Sequence, residues 1–139
     1  MRASTLYRIS AVVLVLFAVG HTVGFLTFKS PTPEGIAVRD AMKNVHFQVG
    51  GSDLSYGGFY EGFGWSATVN LLFSAFLAWH LSNHPNRAVG WVFCAMQIVG
   101  VILSWRYFPL PPAVFSAVLA GCLGWAAAQD ADRAIAEHG

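Results

Sequence analysis

The sequence predicts an all-α integral membrane protein, a four-helix bundle with one long loop between helices 1 and 2, and three observations carry that prediction. Of the 139 residues, 55% are hydrophobic and only 11% charged, whereas an ordinary soluble domain is about a quarter charged. Mean hydropathy is +0.54. Four apolar stretches can be marked off, at Leu6 to Phe28, Phe59 to Leu81, Ala88 to Phe108 and Pro112 to Ala128, each near the twenty or so residues that a hydrocarbon core requires. The length suits one domain, residues 1–139.

Arg2 and Arg8 precede the apolar core of the first stretch, which in this resembles a signal peptide. No small-x-small cleavage site appears before Lys29 and Pro31, however, and the run is too long, which favours an anchor that stays. The only long connection, Lys29 to Gly58, has two parts. Thr32 and Pro33 read as a helix start, and Ile36, Met42, Val45 and Val49 have the spacing of a short amphipathic helix lying on the membrane or bundle. Gly50, Gly51, Gly57 and Gly58, placed around Asp53, Leu54, Ser55 and Tyr56, read as a compact glycine-rich turn into the second helix. Between the third and fourth helices, Pro109, Pro111 and Pro112 mark a tight hairpin and suit a first helical turn, where their missing N–H groups would be unpaired anyway. The tail from Gln129 to Gly139 is polar and reads as a short helical extension. No internal repeat stands out.

Charge and cysteine content exclude several classes. A net charge of +1 offers no basic stripe for nucleic acid, and an aromatic content of 14% argues against disorder. Cys94 and Cys122 lie in apolar runs without metal or redox spacing and read as small buried hydrophobes, so no metal site is expected. Orientation is close to a tie. Arg2, Arg8, Arg87 and Arg133 fall on one side and Lys29, Arg39, Lys43 and Arg106 on the other. Arg2 and Arg8 flank the first helix to insert, and the long loop also bears Glu34, Asp40 and Asp53, which points to cytoplasmic termini.

Counting about 1.5 Å of rise per residue from the loop side places the polar residues in layers. Glu61 and Arg106 fall at one depth, where they either form an ion pair or reach headgroups and water separately. His21, roughly 10 Å inside the first helix, is the deepest ionisable residue. It is either a neutral imidazole bonded between helices or an acid/base group. Asn70 and Gln97 share a deeper level and read as a structural hydrogen-bonded layer. Asn70 belongs to a stripe with Gly62, Ser66, Ser74 and Ala78, Gln97 shares a face with Gly90, Cys94, Val101 and Ser104, and small residues also line faces at Gly20 and Gly24 and at Ala117, Gly121 and Gly124. Such faces let backbones approach. His80 and His84 have a permissible metal spacing but no carboxylate or cysteine nearby, and read as a solvated helix end. A bis-histidine heme fails, because His21 and His80 differ by about 20 Å in depth.

The Gly-His-Thr-x-Gly of residues 20–24, followed by Ser55, Tyr56 and Phe59-Tyr60-Glu61-Gly62-Phe63-Gly64, resembles a family of small uncharacterised bacterial integral membrane proteins with four transmembrane helices. The resemblance spans nearly the whole chain and implies a fold and a bacterial inner-membrane location, with no reaction to carry over. Its motif positions are Gly20, His21, Thr22, Gly24, Tyr60, Gly62 and Gly64, while Glu61 occupies a variable slot. The layout is also similar to DoxX-like proteins.

Two functions are therefore expected. The first is a non-enzymatic membrane protein without a cofactor, either an accessory subunit of a homo-oligomer or larger membrane complex or a small binder of a lipid, quinone or other apolar molecule. The second is an intramembrane enzyme in which His21 acts as acid/base with Glu61 and Arg106. In both, His21 faces the interior under a cover formed by residues 50–60, and Tyr56, Tyr60 and Trp65 line the pocket. A transporter is disfavoured, because there is no repeat and no line of charge.

Overall fold

The computed structural model describes the backbone of residues 1–138 and the side chains of residues 1–129. Among the described residues the elements are α1 (Ala3–Thr27), α2 (Pro33–Asn44), β1 (His46–Val49), β2 (Ser52–Ser55), α3 (Tyr56–Asn83), α4 (Arg87–Tyr107) and α5 (Leu110–His138). The chain divides into two compact units, Met1–Phe17 with Leu71–Gly139, and Ala18–Asn70.

Three helices, α1, α4 and the Leu110–Gln129 part of α5, are long and apolar enough to cross a membrane. Only 22%, 22% and 33% of their apolar windows are buried. Their exterior is apolar, and beside buried leucines their interior holds small residues and hydroxyls. Val12, Leu16, Val92, Met96, Ile102 and Trp125 are exposed, while Ser10, Ser104, Ser116 and a series of alanines are buried. Such an exterior is costly in water and natural in lipid, where close helix packing falls to small residues. Both features are consistent with a membrane protein. α3 has 28 residues, carries Glu61, Asn70 and His80, and is not among those three.

In the first unit, four helical segments contribute to one core. Leu6, Tyr7 and Leu14 of α1 join Ala75, Ala78 and Leu81 of α3, Phe93 and Cys94 of α4, and Leu119, Leu123 and Ala126 of α5. Gly90 makes room for this core, since a Cβ there would lie 2.5 Å from the Tyr7 hydroxyl and 3.0 Å from Cβ of Ala127. Cys94 behaves as expected of a small buried residue and donates its thiol to the Ala120 carbonyl at 3.3 Å. A Cβ on Gly124 would meet its sulfur at 3.1 Å. Gly121, by contrast, faces open space and Ala117 is exposed, so the close face of α5 runs through Ser116, Gly124 and Ala127 instead. α4 starts where Asn86 accepts the Val89 amide at 3.1 Å, a standard N-cap bond.

The second unit corrects the expectation of one long loop. The connection between α1 and α3 folds as a helix and a hairpin. Thr32 caps α2 by accepting the Gly35 amide at 3.2 Å, with Pro33 in the first turn. The helix then ends at Asn44 rather than continuing to Val49, because Val45 is already extended. β1 and β2 pair antiparallel with Val49 opposite Ser52. The two residues between them, Gly50 and Gly51, have φ of 58° and 81°, the pair of positive angles that a tight two-residue hairpin needs and that glycine supplies without strain. What reads in the sequence as a glycine-rich turn is thus a β-hairpin. Ser55 accepts the Gly58 amide at 3.0 Å, so α3 starts at Tyr56 rather than Phe59.

Candidate functional site

The two sequence motifs meet in the second unit. His21 Nε2 lies 3.1 Å from the Gly64 carbonyl. Since a carbonyl only accepts, the ring must carry its proton on Nε2 there. One residue on, Thr22 Oγ1 donates to the Ala18 carbonyl at 2.8 Å and stands 2.9 Å from Thr68 Oγ1. The buried Thr68 hydroxyl therefore has a partner on α1. Gly64 has no alternative residue without rearrangement, because a Cβ there would come within 2.4 Å of the Phe25 ring. Phe25 in turn contacts His21, Tyr60 and Trp65, each at a centroid separation of 6.1 Å. Polar bonds and ring packing together hold the end of α1 to the start of α3.

Beside this seam lies a cavity of about 560 Å³. Phe25 and Phe28 of the α1 end, Val38 and Met42 of α2, and Tyr60 and Trp65 of α3 supply its apolar and aromatic walls. Three charged residues also reach it, namely Arg39 and Lys43 from α2 and Glu61 from α3. Two local features set these elements side by side. A Cβ on Gly57 would meet the Met42 carbonyl at 3.2 Å and Lys43 Cα at 3.3 Å, so glycine is what lets the first turn of α3 touch the last turn of α2. Arg39 donates to the Phe28 carbonyl, which ties α2 to the carbonyl end of α1, where a cation is favoured.

Of the residues expected in the site, Tyr60, Trp65 and Glu61 line the cavity. Tyr56 does not, and packs instead on Phe47 at 4.8 Å, at the head of an edge-to-face series in which Phe47 meets Phe59 and Phe59 meets Phe63. Within the second unit the His21 imidazole has Gly64 as its hydrogen-bond partner and neither tyrosine hydroxyl reaches it. The seam is not drawn close by Gly20 and Gly24, which face open space, as does Gly62. Asn70 is exposed and donates to the Ser66 carbonyl of its own helix at 2.9 Å, and Gln97 is half-buried on α4. Arg106 lies over the Tyr107 ring, 5.3 Å from its centroid. His80 and His84 stack at 4.6 Å on an exposed helix end, and no group of three metal-ligating side chains occurs among the described residues. Arg133 lies outside the residues whose side chains are described.

Phe28, Val38, Arg39, Met42 and Lys43 also line the cavity and are not expected there from the sequence: Met42 belongs to the amphipathic spacing that reads as contact with the membrane or bundle, and Arg39 and Lys43 enter only as charges of the long connection. Neither a protein-family model, nor a curated protein, nor a solved structure matches this chain.

Proposed function

We propose that this chain is a non-enzymatic integral membrane protein that takes a lipid- or quinone-like amphipathic molecule into the cavity between α2 and the ends of α1 and α3. One observation carries the reading. A cavity of about 560 Å³ combines aromatic walls with three charged side chains, the mix of apolar surface and few polar groups that marks small-molecule sites. The hydrogen bond from His21 to a backbone carbonyl supports a structural part for the imidazole, which is also absent from the cavity wall.

The same reading makes α3 a fourth membrane-crossing helix. Its 28 residues extend about 42 Å at 1.5 Å each, beyond the ~30 Å of a hydrocarbon core. Thr68, Asn70 and Ser82 each bond within the helix, which lowers the cost of carrying them in lipid. The bilayer would then be both the protein's surroundings and the source of its ligand.

A photoactivatable phospholipid with a diazirine in one acyl chain tests the binding. In reconstituted protein, labelling should concentrate on peptides containing Met42 and Tyr60 and be competed by unlabelled lipid or quinone. Labelling spread evenly over the exposed faces of α1, α4 and α5, without competition, would refute the reading.

A further inference from the structure

The cavity presents opposite charges on two elements, and that pattern selects among amphipathic molecules. Arg39 and Lys43 are four apart on α2 and share a face. Arg39 commits part of its guanidinium to the Phe28 carbonyl and keeps further N–H donors, since the group has five. Glu61 stands on α3 one turn beyond Gly57, the residue that packs on the Lys43 backbone. Within the second unit, neither the Lys43 ammonium nor the Glu61 carboxylate has an ion-pair or hydrogen-bond partner. Tyr60 and Trp65 add ring faces to the same wall, and such faces attract cations.

A purely anionic head would satisfy Arg39 and Lys43 but leave Glu61 facing a like charge. A neutral quinone would neutralise neither sign. A head carrying a phosphate and an ammonium a few atoms apart meets both. We propose, resting on the amphipathic-ligand reading above, that the cavity holds the head of a zwitterionic phospholipid. Its phosphate lies on Arg39 and Lys43, and its amine lies on Glu61 and the rings of Tyr60 and Trp65. The apolar wall of Phe25, Phe28 and Met42 suits the glycerol and the first methylenes.

The test is competition against the diazirine phospholipid by phosphatidylethanolamine and phosphatidylglycerol with identical chains, in the full-length protein reconstituted in nanodiscs. Phosphatidylethanolamine should compete about five- to tenfold better, the range for charge-assisted contacts at partly exposed groups. Glu61→Gln should abolish that preference while leaving phosphatidylglycerol competition equal or stronger, and Lys43→Gln should weaken both lipids. Both residues are exposed, so unchanged melting temperatures will show that the variants fold. Equal competition by the two lipids, better competition by a quinone, or a preference that survives Glu61→Gln overturns the zwitterion assignment but leaves amphipathic binding intact. Competition by soluble glycerophosphoethanolamine at the same concentration overturns the lipid as source. If no lipid or quinone competes at all, the underlying reading fails with it.

Discussion

Replacing Gly90 by alanine adds one methyl group to the interior of the first unit, and its cost can be worked from the contacts that the methyl would make. It would sit 2.5 Å from the Tyr7 hydroxyl oxygen, about 0.8 Å inside the ~3.3 Å at which carbon and oxygen meet comfortably. It would also sit 3.0 Å from Cβ of Ala127, again inside the usual carbon separation of about 3.5 Å. Tyr7 and Ala127 are both 0% exposed, so neither can swing into open space. Overpacking of this kind costs about 1–3 kcal/mol, and the well-walled site argues for the upper half. Against this, alanine exceeds glycine in helix propensity by roughly 1 kcal/mol. The net expectation is a loss of about 1–2 kcal/mol. Gly121→Ala is the matched control, since its methyl would meet nothing within 4 Å and should be neutral or stabilising by up to about 1 kcal/mol. Thermal unfolding of both variants in one detergent reads the difference, and Tyr7→Phe should reduce the Gly90→Ala penalty. Equal stability of Gly90→Ala and Gly121→Ala would refute the packing argument.

Three further outcomes are expected. His21→Phe keeps a ring beside Phe25 but loses the bond to the Gly64 carbonyl, so it should lower stability by about 0.5–1.5 kcal/mol and leave photolabelling of the cavity unchanged; lost labelling at unchanged stability would make His21 functional instead. Gly50→Val forces a β-branched residue to φ of 58° and should cost about 1–2 kcal/mol, whereas Gly50→Asn should stay near the parent, as seen by amide exchange across β1 and β2. Thr32→Ala removes the cap on the Gly35 amide and should cost about 1 kcal/mol, loosening α2 and weakening lipid labelling with it; full labelling would show that α2 needs no cap to form its wall.

The long apolar segments were legible because a run of about twenty apolar residues leaves few alternatives. The expected 6–28, 88–108 and 112–128 correspond to α1, α4 and the first part of α5, and 59–81 to most of α3. The hairpin was not legible as strands. β1 and β2 are only four residues each; Phe47 and Val49 do alternate with His46 and Gln48, which Asp53 joins at 3.2 Å and 2.9 Å, but so short a run does not separate that alternation from the helical spacing of Val45 and Val49. The importance of His21 and Gly64 could be read from the motifs, but their partnership could not, because a backbone carbonyl leaves no trace in residue identity. Small residues were over-read: Gly90 and Gly124 are close contacts, while Gly20, Gly24, Gly62 and Gly121 face open space. Spacing alone does not distinguish which side of a helix meets a neighbour. Tyr60, Trp65 and Glu61, near one helix start, line the cavity, whereas placing Arg39 and Lys43 beside them requires knowing that Gly57 brings α2 against α3.

Retention of lipid by the purified protein tests the occupied cavity most directly. Native mass spectrometry of the parent chain, released from micelles after extensive detergent exchange, should show one phospholipid mass bound per chain. Met42→Trp, which places a larger side chain in the cavity wall, should lose that mass while melting at the parent temperature. Equal lipid retention by parent and Met42→Trp, or none in either, would contradict the account.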